Sequence, residues 1–209
     1  MGDTALMIAT PTSSSDWNSY NAARAGTSAV RPLTERALTA LRATHQNLSG
    51  LRAVELGSGA GIEARRLLQE GLTVHTIDVD ASVEERMHEL TSLGVLEHRT
   101  GLIEEWDPLP LADLILANAS LPFIPRAHFA PVWERLRQAL LPGGILAVDL
   151  FGCEDTWASD QGTYLTLQEV ERLLDALEVI ELNERNEEGR SFDGIKHWHT
   201  FTVIARRTA

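Results

Sequence analysis

Residues 51–61 read Leu-Arg-Ala-Val-Glu-Leu-Gly-Ser-Gly-Ala-Gly, and residues 72–78 read Leu-Thr-Val-His-Thr-Ile-Asp. The first stretch is a short apolar run that breaks into glycines at 57, 59 and 61. Ile62 to Gln69 then resumes with helical spacing, and Gly71 supplies a stop signal. The second stretch is β-branched and strand-like, and it ends on Asp78. Strand, glycine turn, helix and strand in that order form a crossover unit, and such units build parallel sheets covered by helices. The glycines let the chain turn sharply and let a ligand approach the backbone at a helix N-terminus. In a doubly wound sheet the ends of the first two strands face one crevice. Asp78 therefore stands where a carboxylate accepts hydrogen bonds from both hydroxyls of a ribose. Its plain alternative is a turn or helix cap, but Asp80 is the better cap for a helix that begins at Ala81 and carries Glu84 and Glu85 in its first turns. Glu55 fits neither turn nor cap chemistry. A carboxylate on an apolar strand is costly unless paired, and a cationic ligand is one partner for it.

Working outward, Arg31 to Leu48 keeps helical spacing through Leu33, Ala37, Leu38 and Leu41, with Pro32 at the front. Ala81 to Leu93 is helical, Val95 to Arg99 is strand-like and Asp113 to Ala117 reads as a buried strand. Arg126 to Leu141 is a helix closed by Pro142-Gly143-Gly144, and Ile145 to Leu150 is a fifth strand. An amphipathic helix over Thr166 to Leu177 precedes two strands, Glu178 to Arg185 and Trp198 to Ala205, with no helix between them. The expected fold is α/β: a doubly wound, mainly parallel seven-stranded sheet with helices on both faces and a C-terminal antiparallel hairpin. Residues 1–30, with Ser, Thr and Pro over Thr10 to Ser15, read as a flexible N-terminal segment; residues 31–209 read as a single domain.

The 209 residues are 44% hydrophobic and 23% charged, the balance of an ordinary globular protein. A net charge of −12 speaks against nucleic acid and anionic membranes, both of which call for basic surface. No apolar run is long enough for a membrane helix, since Asp113 and Asp149 interrupt the best candidates. One cysteine, Cys153, forms no internal disulfide, and with no basic leader at the N-terminus the expected location is cytoplasmic. Cys153, with no activating base beside it, reads as a packed thiol. His197 and His199 share one side of a strand but lack further ligands, so no metal site is expected; His128 reads as a surface residue.

Val54-Glu55-Leu56-Gly57-Ser58-Gly59-Ala60-Gly61 with Ile77-Asp78 resembles the first two cofactor motifs of class I S-adenosylmethionine-dependent methyltransferases, which have a Rossmann-like fold. Asp113 to Asn118 and Leu140 to Ile145 resemble that family's fourth strand and the turn before its fifth. Asn118 to Pro125, Phe151-Gly152 with Asp155 to Ala158, and Lys196 to His199 resemble the small bacterial tellurite-resistance-like methyltransferases. The resemblance implies S-adenosylmethionine as cofactor. Glu55, Gly57, Ser58 and Gly59 would surround its methionine part, Asp78 would hold the ribose and Val79 would pack on the adenine face. Leu102 and Ile103 would lie along the adenine edge; Leu102 stands where the family often has Asp, and Glu104 is the nearby substitute. Asn118 would sit below the methionine at the mouth of the substrate pocket.

Methyl transfer is an in-line displacement that needs alignment and exclusion of water. A general base is required only when the acceptor holds a proton it does not lose unaided, and the sequence shows no catalytic triad. Tyr20, Asn118 and Phe123 are the pocket candidates. Trp17 and Tyr20 fit a lid over a cationic sulfonium, or equally a segment docked on the core; Phe123 with Pro122 is equally read as capping the sheet. Arg24 would meet a carboxylate or simply be solvated. The leading expectation is transfer to a small-molecule acceptor, since the length leaves little room for a separate recognition domain. The alternatives are a non-catalytic S-adenosylmethionine- or S-adenosylhomocysteine-binding regulator, marked by a crevice blocked at Phe123 and Trp17, and a methyltransferase acting on a peptide or protein. A nicotinamide oxidoreductase is disfavoured because Ile62 occupies the third glycine position of the dinucleotide fingerprint. Acceptor atom and oligomeric state are not legible.

Overall fold

A computed structural model describes residues 14–27, 29–191 and 194–208. Helices α1 (Ser14–Arg24) and α2 (Pro32–Arg42) precede strand β1 (Arg52–Leu56), followed by α3 (Ile62–Gln69) and β2 (Thr73–Asp78). Then come α4 (Glu84–Leu90), β3 (Leu96–Thr100), β4 (Ala112–Ala117), α5 (Arg126–Ala139) and β5 (Leu140–Gly152). The chain continues through β6 (Tyr164–Leu165), α6 (Leu167–Leu173), β7 (Leu177–Ser191) and β8 (Gly194–Arg207). The sheet order is β3-β2-β1-β4-β5-β8-β7, with β6 paired to β5. Pairs among β1 to β5 are parallel, while β8 runs antiparallel to both β5 and β7. This is the doubly wound arrangement with its terminal hairpin. The two-residue β6 makes an eighth strand that the sequence pattern was too short to signal.

Alternation along the strands divides the core into two layers. Val54, Ile115, Leu146, Val148, Phe201 and Val203 face α5 and α6. Ala53, Val74, Leu114, Ile145, Ala147 and Ile204 face α2, α3 and α4. On α2, Leu33, Ala37, Leu38 and Leu41 fall on one stripe and are buried; each fully buried leucine contributes about 2 kcal/mol.

The helices read over Arg31 to Leu48 and Thr166 to Leu177 are shorter, Pro32–Arg42 and Leu167–Leu173, and Pro142-Gly143-Gly144, read as closing α5, lies within β5. Three further sequence expectations differ from the structure. The helix expected over Ala81 to Leu93 is α4 flanked by 3-10 turns at Ala81–Val83 and Thr91–Leu93, and Asp80 does cap its start by accepting from Ser82 N–H at 3.0 Å. Part of the segment expected to be loose, Ser14–Arg24, is helical; residues 1–13 lie outside the described residues. Cys153, expected to pack, is exposed, because the turn after β5 points its side chain outward while its backbone N–H bonds Leu165 O at 3.2 Å.

Candidate active site

Every parallel strand ends at the same edge of the sheet, and there a crevice of about 1300 Å³ opens. One end is the glycine loop after β1. Gly57 (φ 74°) and Gly59 (φ 47°) both use the left-handed region. A Cβ on Gly57 would lie 2.5 Å from Ser120 Cβ, and one on Gly59 would lie 2.8 Å from Asn21 Oδ1. Gly57 has no room for a side chain, one at Gly59 would have to displace the Asn21 amide, and the backbone at either position would be strained by one. Asp78, at the end of β2, accepts from Gly59 N–H at 2.7 Å and from Asp80 N–H at 2.9 Å. The same carboxylate thus shapes the loop and faces the crevice. Burial pushes its carboxyl up, while these two backbone hydrogen bonds pull it down.

Trp17, Tyr20, Gly57, Ser58, Gly59, Asp78, Val79, Leu102, Ile103, Asn118 and Phe123 all line this one crevice. Val79 and Leu102 are 41% and 42% exposed, a large apolar surface at a loop edge that suits a flat ligand face. Glu55 lies one layer deeper. It is 2% exposed, and its Oε2 has no hydrogen-bond partner among the described residues. Burial raises its pKa well above the ordinary carboxylate range, and Glu63 and Asp78 add to that while Arg31 opposes it.

Helix α1 roofs the crevice. Trp17 meets Phe123 edge-on at 4.6 Å between ring centroids, and Asn21 Nδ2 donates to Asp80 Oδ2 at 2.9 Å. Arg31, unremarked in the sequence, ties this roof to the floor: its guanidinium donates to Tyr20 OH at 2.7 Å and to Asn118 O at 2.8 Å. Nothing in its neighbourhood distinguishes it from a solvated arginine until the fold brings Tyr20 and Asn118 to it. Asn118 Nδ2 donates to Thr34 Oγ1 at 3.2 Å, and the next residue, Ala119, is held at φ 59°, a strained conformation for a residue with a side chain.

The crevice continues past the Trp17–Phe123 pair to Asp149, Phe151, Trp157, Trp198, Thr200 and Thr202. Asp149 Oδ1 accepts from Thr202 Oγ1 at 2.7 Å. Its sequence signal was the one that marked Glu55, a carboxylate on an apolar strand. Behind this wall, Lys196 and Asp155 form a fully buried ion pair. Asp155 Oδ2 also accepts from His199 N–H at 3.1 Å, and His199 Nε2 lies 2.9 Å from Glu184 Oε1. His199 is therefore structural, His128 is exposed, and the described residues hold no cluster of three or more potential metal ligands.

The resemblance implies S-adenosylmethionine here, and the residues fit it. Glu55 Oε2, Ser58 Oγ and Asn118 Oδ1 are buried polar atoms without a hydrogen-bond partner among the described residues, all placed around the glycine loop. Such atoms are costly unless a ligand or water completes them.

Residues 54–148 match the methyltransferase domain family. The chain is 30% identical over 97 residues to trans-aconitate 2-methyltransferase of Azoarcus sp. (strain BH72), a match that takes in 46% of this chain and 38% of that enzyme. It thus spans under two fifths of that relative's length. Among solved structures, TehB from Haemophilus influenzae superposes with a TM-score of 0.73 at 16% identity, covering 92% of this chain and 67% of that one. The N-methyltransferase NodS from Bradyrhizobium japonicum WM9, in complex with S-adenosyl-L-homocysteine, superposes at 0.66 with 17% identity, covering 92% and 99%. At these identities the superpositions establish the shared fold.

Proposed function

From the match of residues 54–148 to the methyltransferase domain family and the shared fold, we propose that the chain transfers the methyl group of S-adenosylmethionine to a small-molecule acceptor. The carrying observation is the set of partnerless buried atoms Glu55 Oε2, Ser58 Oγ and Asn118 Oδ1 beside the Asp78 carboxylate. In this reading Asp78 holds the ribose, Val79 packs on the adenine face, and Leu102 and Ile103 line its edge. Glu55, Ser58 and the backbone of Gly57 and Gly59 surround the amino-acid end, and Arg31 offers its charge to the carboxylate there. Bound S-adenosylmethionine supplies an electrophilic methyl group on a sulfonium. The protein aligns the acceptor and excludes water, with Trp17 and Tyr20 on α1 serving as a lid.

A small acceptor is supported by the relative named for trans-aconitate and by a crevice that runs beyond Trp17 and Phe123 instead of ending there. That continuity weighs against a blocked, non-catalytic binding protein. The test is transfer of label from methyl-labelled S-adenosylmethionine into a cell extract, followed by size filtration. Label in a low-mass product that chromatography separates from S-adenosylmethionine itself, and that is absent without the protein, is the expected result. Label retained with protein would favour a peptide or protein acceptor, and tight S-adenosylhomocysteine binding with no label in either fraction would favour the regulator.

A further inference from the structure

The crevice end farthest from the glycine loop is built from a sheet face whose chemistry changes along each strand. On β5 the face that carries Ile145 and Ala147 into the core carries Asp149 and Phe151 at the crevice. On β8 the same face carries Ile204, then Thr202, Thr200 and Trp198. The register sets Asp149 opposite Thr202, and Thr202 opposite Asn183 of β7, so one polar row crosses three strands. Asp149 is half-buried and lines the crevice, and its only hydrogen bond among the described residues is the one Oδ1 accepts from Thr202. Burial pushes its carboxyl up; Thr202, Arg31 and Arg36 pull it down, and Glu181, which pairs with Arg36 at 3.1 Å, pushes it up again.

The row beside it is aromatic. Phe151, Trp157 and Trp198 line the crevice, and behind them Lys196 Nζ lies 5.1, 3.8 and 4.0 Å from their respective ring centroids. The cation-binding capacity of these rings is thus already used by the protein's own ammonium group. At this end Arg185 and Arg190 are matched by Asp149 and Glu184, so the lining favours neither sign of ligand charge, while Arg24 and Arg31 add positive charge elsewhere along the crevice. A flat, uncharged ligand that stacks on the wall and donates one hydrogen bond matches all of these features.

We propose that this end is the acceptor subsite, that it takes a planar uncharged ring bearing an N–H or O–H, and that Asp149 receives that group's hydrogen bond and then its proton. The proposal rests on the methyltransferase reading. In the transfer, the acceptor nitrogen or oxygen forms a bond to the methyl carbon while the carbon–sulfur bond breaks, and sulfur keeps that electron pair. The acceptor's N–H or O–H proton passes to the Asp149 carboxylate, so charge and atoms balance.

The test uses the full chain saturated with S-adenosylhomocysteine at pH 8, with tryptophan fluorescence and ligand-observed NMR as readouts. The probes are benzimidazole, phenol, 1-methylbenzimidazole, benzoate and benzyltrimethylammonium. Benzimidazole or phenol is expected to bind at least about tenfold more tightly than 1-methylbenzimidazole, the ratio a hydrogen bond to a charged group provides. The one that binds more tightly identifies the acceptor as N–H or O–H. Asp149→Ala is expected to abolish that preference with S-adenosylhomocysteine affinity unchanged, and Asp149→Leu, which keeps the bulk but offers no acceptor, serves if the alanine variant does not fold. Tightest binding of benzoate or the ammonium probe, a preference that survives at both variants, or no probe binding to protein that does bind S-adenosylhomocysteine would overturn the proposal. Folded wild-type protein that does not bind S-adenosylhomocysteine would overturn the methyltransferase reading and the proposal with it.

Discussion

Two carboxylates of the crevice, Asp78 and Asp149, and Glu55 just beneath it are all pushed up by burial. A carboxyl whose folded pKa lies above its unfolded value contributes stability that is fully present below the unfolded pKa and is lost as pH rises through the folded value. The ligand-free protein is therefore expected to lose stability from the ordinary carboxylate range up through those raised values. Glu55→Gln is expected to raise Tm at pH 8, flatten that dependence and weaken S-adenosylhomocysteine binding. Calorimetry across pH checks all three, and a lower Tm at pH 8 would show that Glu55 is paired in the free protein. Asp78→Ala is expected to weaken cofactor binding by about 1–3 kcal/mol, part of it through the lost hydrogen bond from Gly59 N–H that shapes the loop. Unchanged affinity in a folded variant would remove Asp78 from the ribose.

Helix α1 shows what one element contributes that its sequence does not display. Ser14–Arg24 contains few apolar residues, and its value lies in what Trp17, Tyr20 and Asn21 reach: Phe123, the Arg31 guanidinium and Asp80. Tyr20→Phe removes the oxygen that Arg31 binds. It is expected to lower turnover severalfold while shifting Tm by under about 2 °C, less than the loss of 1 kcal/mol would produce. A large fall in Tm with normal turnover would make α1 a packing element. At the other end of the crevice, the Lys196–Asp155 pair fastens β8 to the loop after β5 and backs the aromatic wall. Lys196→Ala leaves Asp155 charged and buried, and chemical denaturation is expected to show a loss of about 3–5 kcal/mol. A loss under about 1 kcal/mol would mean that water reaches Asp155.

At the scale of the molecule, the succession of strands and helices, the mainly parallel sheet with its terminal hairpin and the crevice edge were legible because they follow from patterning and crossover rules: β1, the glycine loop, β2 and Asp78 fix where the sheet opens, whereas the order of the strands across the sheet was not read. The two-residue β6 was not legible, being too short to show any period. Arg31 was not legible either, since its role depends on Tyr20 and Asn118, which lie far apart in sequence. Asp149 carried the same signal as Glu55, a carboxylate within a buried strand, but the pattern marked it only as a break in an apolar run. Cys153 turned outward because a tight turn, and no periodic element, sets its direction.

The measurement that bears most directly on this account is calorimetric titration of the purified protein with S-adenosylmethionine, S-adenosylhomocysteine and NAD at one salt and pH. Saturable one-site binding of the two adenosyl ligands, weakened by Asp78→Ala, and no binding of NAD are expected. Folded protein that ignores both adenosyl ligands, or that binds NAD instead, would contradict it.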